Sequence, residues 1–150
     1  MNLLSRRSIL AIAAVVDVAL HSRSTPAGAR ALAARHKLPP RRLETLLQGL
    51  VHARILKGVR GPRGGYELAR ERRGITVGEI VRTAMSLSTA DPDDLRANSM
   101  LLERVIDPAV RRAGETFLAN LDAITVEQMC ETAEKRHVLD DEKVSGDFAN

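Results

Sequence analysis

The chain has 150 residues, 44% of them apolar, with 23 Lys and Arg against 19 Asp and Glu. That length and apolar content exclude a disordered chain and suit one self-sufficient core. The lone Cys130 excludes an intramolecular disulfide, and it fits a reducing, cytoplasmic setting. Aromatics are nearly absent, which points to helices packed through small side chains. No CxxC, HExxH or Walker-type glycine loop occurs, and His21, His36, His52 and His137 show no ligand spacing, so an enzyme is not expected.

Taken from the N-terminus, Ser5-Arg6-Arg7-Ser8-Ile9-Leu10 imitates a twin-arginine export signal. Asp17 interrupts the apolar stretch that follows, and the stretch is too short to span a bilayer. Ile9, Ile12, Val16, Ala19 and Leu20 instead carry helical spacing, predicting a first helix from Ser5 to His21 with that face inward. No other segment suits a membrane. Thr25-Pro26 reads as a cap followed by proline at the first helical position, predicting a short helix to about His36 with Ala29, Leu32 and Ala33 inward. Leu38-Pro39-Pro40 breaks it. A helix from Pro40 to about Arg54 then buries Leu43, Leu46, Leu47 and Leu50 and leaves Arg41, Arg42, Thr45, Gln48 and His52 on its polar face. Two short helices about a tight turn, the second with a basic face, make a helix-turn-helix.

Ile55–Arg60 and Tyr66–Ala69 read as strands around the loop Gly61-Pro62-Arg63-Gly64-Gly65. A hairpin directly after a helix-turn-helix is a wing. Its glycines permit close approach to another surface, and Arg60 and Arg63 suit a minor groove or phosphates. A plain hairpin with a flexible tip is the bland alternative. Thr76-x-x-Glu79 reads as a capping box opening a helix to about Leu87. Asp91-Pro92 and Asp107-Pro108 repeat the cap-then-proline pattern, predicting a kinked or divided helix in this stretch. Thr125-x-x-Gln128 opens a last helix to about His137.

Charge divides along the same lines. Residues 1–85 hold 16 Lys and Arg against 5 Asp and Glu, while residues 86–150 hold 7 against 14. A half of net +11 joined to a half of −7 reads as a footprint for a polyanion beside a segment with another task. The expected fold is mainly α with a small β-hairpin: a winged helix-turn-helix over 1–85, helical dimerisation elements over 86–138, and a polar, disordered tail over 139–150. The stripe Val110, Ala113, Phe117, Leu118 and Leu121 is either covered by a second copy or folded back on the first helix. A homodimer would present two wings to a two-fold-related DNA site.

The runs Leu43-Glu44-Thr45-Leu46-Leu47, Val59-Arg60-Gly61-Pro62-Arg63-Gly64-Gly65-Tyr66-Glu67-Leu68 and Ile75-Thr76-Val77-Gly78-Glu79-Ile80 resemble the IscR/NsrR/CymR family of bacterial winged-helix regulators. Phe117-Leu118-x-x-Leu121 followed by Ile124-Thr125-Val126 extends the likeness into that family's dimerisation region. The resemblance implies a homodimer that binds an inverted repeat in double-stranded DNA, usually as a repressor. It implies that Glu44 and Thr45 read base edges and that Arg60 and the loop from Gly61 through Arg63 and Gly64 to Gly65, with Tyr66, engage the minor groove and backbone. Arg41, Arg42 and Gln48 lie on the same helix, the two arginines adding phosphate contacts. Pro39 stands where a serine cap is usual, and Arg54 where glycine is usual.

Many members hold an iron–sulfur cluster on three cysteines in the segment that here runs from Ala90 to Ile106. This chain has none there, and Ser8 stands where some relatives supply an aspartate ligand. No iron–sulfur cluster and no other cofactor is therefore expected. Sensing by Cys130 as a redox thiol, by an unknown effector between the halves, or by no sensor all remain open, with a buried structural thiol the plainer account of Cys130. A winged-helix adaptor without DNA binding is the competing class of function.

Overall fold

A computed structural model describes residues 3–88 and 99–139. The Asp91-Pro92 cap and the tail from residue 140 lie outside the described residues. The first helix, α1, spans Arg6–His21 and opens on Ser5, whose Oγ accepts from the Ser8 N–H at 3.1 Å. Its buried face is rotated from the expected one, of which only Ala19 is buried. Ala11, Ala14, Val15 and Val18 are fully buried, Ile12, Val16 and Leu20 lie at the margin, and Ile9 is 42% exposed. The reason is position: α1 meets every other wall of the core, and the alanines let neighbouring helices approach closely where larger side chains would hold them off.

Helix α2 (Ala29–Arg35) begins later than the Thr25-Pro26 signal suggests, with Gly28 as its cap. The preceding segment has another use. Ala27 and Tyr66 exchange backbone hydrogen bonds of 2.9 and 2.8 Å, so the chain is extended there and joins the edge of the hairpin. Helix α3 spans Pro40–His52 and buries Leu43, Leu46, Leu47 and Leu50 as expected. Both α2 and α3 end in the same device. Leu38 N–H reaches the Ala33 carbonyl and Ile55 N–H the Leu50 carbonyl, while Lys37 and Arg54 take the left-handed conformation at φ 53° and 60°. These are Schellman ends built without glycine. Arg54 thus occupies the glycine position at a cost of about 1 to 2 kcal/mol, offset by burial of Ile55 against Leu50.

Strands β1 (Leu56–Val59) and β2 (Gly65–Leu68) pair antiparallel, with Leu56 opposite Leu68 and Val59 opposite Gly65. Helix α4 spans Val77–Ser86, and Thr76 Oγ1 accepts from the Glu79 N–H. The expected reciprocal bond of that capping box is replaced, because the Glu79 carboxylate pairs with Arg70 at the exit of the wing. Asp107 is not a cap. It has helical dihedrals, and the chain reaches α5 (Asp107–Asp122) through a wide π-turn at Leu102–Ile106. Such a turn loosens the ladder just where Pro108 offers no N–H.

Helix α6 (Val126–Lys135) opens on a full capping box of Thr125 and Gln128. Val77 N–H donates to the Ile124 carbonyl and Val126 N–H to the Ile75 carbonyl, so the starts of α4 and α6 are stitched together. Gly78 permits this: a Cβ there would lie 1.9 Å from Asp122 Oδ1. Val126 and Cys130 enter the same buried cluster as α1, so the core runs past residue 85.

One buried charge holds α2 to α1. Asp17 is 6% exposed. Arg35 Nε donates to both its oxygens (3.1 and 2.9 Å), Arg35 Nη2 donates to Oδ1 (2.6 Å), and His36 Nε2 donates to Oδ2 (2.8 Å). His21 Nδ1 adds a contact of 2.9 Å. Asp17→Asn is expected to destabilise the protein by about 3 kcal/mol, since removing one member of a buried pair strands the other. Urea denaturation measures this. A loss below about 1 kcal/mol would place the pair among ordinary surface bridges.

Candidate nucleic-acid interface

The leucine face of α3 is locked into the core, and this decides what the opposite face presents. Arg41, Arg42, Glu44, Thr45 and Gln48 are all exposed. Pro39 makes no side-chain cap bond, and Pro40 at the first position starts the helix without one. The helix start therefore needs no side-chain cap.

The wing tip is shaped by backbone. Gly64 N–H donates to the Gly61 carbonyl at 2.9 Å, closing a turn that contains Pro62 and Arg63. Gly61 has φ +113°, a region closed to most side chains. Gly65 is required for a different reason: a Cβ there would stand 2.3 Å from the Ala27 carbonyl oxygen. Arg60 and Arg63 project from this loop and are exposed, while Gly64, Gly65 and Tyr66 are half-buried at its base.

Tyr66 joins the pieces. One shallow groove runs between the wing and Ala29, and a second is lined by Gln48, Val51 and His52 of α3 and its end; both include Gly58 and Tyr66. Burial, and then the charge of Glu44, push the Tyr66 phenol above its ordinary pKa. The recognition helix and the wing are thus neighbours over a common floor.

Several cations are held in ion pairs. Arg23 pairs with Glu134, Arg35 with Asp17, Lys57 with Glu67 (3.2 Å), Arg70 with Glu79, and Arg82 with Asp122 (2.6 and 2.8 Å). The Arg82 bridge holds the Asp122 carboxyl below its ordinary range. Among the described residues, Arg41, Arg42, Arg60 and Arg63 meet no acidic partner, and neither do Arg30 and Lys37 beside α2. Arg104, Arg111 and Arg112 around α5 and Lys135 and Arg136 at the end of α6 are likewise unpaired, but the four arginines of α3 and the wing tip are those that a polyanion meeting the helix-turn-helix would encounter.

Cys130 stands apart from this face. It is fully buried, and burial, the largest influence, pushes its thiol above the ordinary range. Such surroundings disfavour the thiolate on which reactivity depends. Ser8 is buried as well, its Oγ 3.0 Å from Ser5 Oγ. Sequence reasoning missed Asp17, used there only to argue against a membrane span. A carboxylate inside an apolar helical run is itself a signal of a buried cationic partner.

A helix-turn-helix followed by a two-stranded wing defines a winged-helix protein. Residues 4–132 match the family model described as Rrf2, iron-dependent transcriptional regulator, and the chain belongs to that family. Over 78 residues it is 36% identical to the HTH-type transcriptional regulator IscR of Vibrio atlanticus, covering 52% of this chain and 45% of that protein. The match therefore spans about half the length of such curated relatives. Among solved structures, T. potens IscR is 31% identical with a TM-score of 0.70, covering 89% of each chain. CymR of B. subtilis, at 24% identity and a TM-score of 0.64, covers 88% of this chain and 98% of its own and shares the fold.

The family description implies iron, so the donors matter. An iron–sulfur centre is built on several thiolates, and the single cysteine here lies in the core. Among the described residues no three His, Cys, Asp or Glu side chains are grouped to hold a metal. The residues present do not fit a cluster.

Proposed function

We propose that this protein is a sequence-specific DNA-binding transcriptional regulator that works as a homodimeric repressor on an inverted repeat. The observation that carries the reading is the set of exposed arginines on α3 and the wing, Arg41, Arg42, Arg60 and Arg63, which are unpaired among the described residues. Arg60 and Arg63 would enter or flank the minor groove, and Glu44, Thr45 and Gln48 would read base edges in the major groove. Family membership and the likeness to T. potens IscR support the same reading.

The dimer reading rests on the stretch from Met100 through α5, in which no residue is buried. Met100, Leu101, Val105 and Val110 are each about 60% exposed along one helical path. Water is a poor solvent for such a row, and a second copy, facing it with the same row, is the self-complementary solution. Val110→Glu is expected to shift sedimentation toward monomer and to weaken operator binding with it. A dimer unaffected by this change would move the interface elsewhere.

The reading also carries a cluster-free regulator. Protein purified without oxygen is expected to be colourless and to hold far less than stoichiometric iron. A brown, iron-loaded preparation would mean that the ligands come from outside the expected set.

The decisive measurement is fluorescence anisotropy on the DNA upstream of the protein's own gene, against scrambled DNA at equal salt. Operator preference is expected. Arg60→Ala should weaken specific binding by about 1–3 kcal/mol. Glu44→Ala should alter sequence preference more than total affinity, because an acid among phosphates gives nothing to non-specific binding and can accept from cytosine N4. An equal loss on every sequence would sink that role for Glu44. Absence of any DNA binding at low salt would favour an adaptor function.

A further inference from the structure

The Arg6-Arg7 pair that imitates an export signal has a different setting in the fold. It opens α1, and a groove runs from it to the start of α3. Arg6 and Arg7 line one side, Arg41 and Arg42 line the other together with Thr45, and leucines form the floor. Arg7 Nη1 donates to the Leu87 carbonyl at 2.6 Å, which fixes that guanidinium in place. Among the described residues Arg6, Arg41 and Arg42 have no acidic partner. Four like charges around one groove repel each other unless an anion sits among them. The first turns of two helices, α1 and α3, add the positive ends of their dipoles.

We propose that this groove is a clamp for the phosphodiester backbone of DNA, with Arg6 as a direct phosphate contact and Arg7 as an anchored second cation. The inference rests on the DNA-binding reading above and extends the interface from α3 onto α1. Two features select a DNA strand over a small free anion. Thr45 belongs to both the groove wall and the base-reading face. The four arginines come from two separate helices, α1 and α3, with Arg6, Arg41 and Arg42 exposed. A strand whose bases face Glu44 and Thr45 would pass its neighbouring phosphates over Arg41 and Arg42 to Arg6. Contacts of this kind fix register on the duplex and carry no sequence information.

The test is the dependence of binding on salt. Arg6→Ala is expected to weaken operator and scrambled DNA by the same factor, leaving their ratio unchanged. It should reduce the slope of log affinity against log salt by about one for each subunit bound. Arg73→Ala removes the same formal charge from a guanidinium that faces Glu71, and it should leave the slope near its original value. A neutral methylphosphonate placed at successive positions beside the half-site locates the contact. At one position it should weaken the wild-type protein as much as Arg6→Ala does, and add nothing to that variant. Melting curves of Arg6→Ala establish that the fold is intact.

An unchanged slope in Arg6→Ala, with Arg60→Ala still losing the operator, overturns the clamp and leaves the regulator standing. Equal losses in Arg6→Ala and Arg73→Ala overturn it too, since overall charge then explains the effect. Failure of the wild-type protein to bind any DNA overturns both readings.

Discussion

A carboxylate inside an apolar helix is the constraint on which the other parts depend. Asp17 sits on α1 among alanines and valines, and its charge is tolerable there only because Arg35 and His36 reach it from the α2 end. That requirement fixes the C-terminal end of α2 against α1. The Schellman turn then sends the chain into α3 at a set angle, and the leucines of α3 complete the core. At its other end α2 is preceded by Ala27, whose backbone pairs with Tyr66 of the wing. One ionic node and one backbone bridge therefore hold helix-turn-helix and wing as a unit, the preorganisation that recognition of a rigid duplex demands.

The division of the cations follows from the same economy. Two of them hold elements together through carboxylates, Arg82 with Asp122 and Arg70 with Glu79. Arg70 also donates to the carbonyls of Arg54 and Gly74, so the end of α3, the exit of the wing and the start of α4 share one guanidinium. Among the described residues, Arg41 and Arg42 on α3 and Arg60 and Arg63 at the wing tip meet no carboxylate. Net charge alone could not separate the two sets, since the basic half contains both.

Leu87 occupies an informative place. It follows α4, its carbonyl receives Arg7, and its side chain fills the space left by Gly49 on α3, where a Cβ would lie 2.3 Å from a Leu87 methyl carbon. The recognition helix, the start of α1 and the end of α4 thus meet at one residue. A displacement of the chain beyond α4 would bear directly on the helix that presents Glu44 and Thr45.

The sequence by itself determined the elements whose signals are local. Pro39-Pro40 and the leucine spacing defined α3, the Gly-Pro-Arg-Gly-Gly run defined the wing, and Thr125 with Gln128 defined the start of α6. Turn chemistry and periodicity act over a few residues, so they are legible without knowledge of neighbours. The exposed site residues followed, because burying one face of α3 exposes the other. Tertiary structure decided what depends on partners distant in the chain. The inward face of α1 turned to its alanines because several elements crowd it, and Thr25-Pro26 yielded to strand pairing with Tyr66. Glu79 left its capping box for Arg70, and α6 returned to the first core. In each case a contact from another part of the chain chose between the local options.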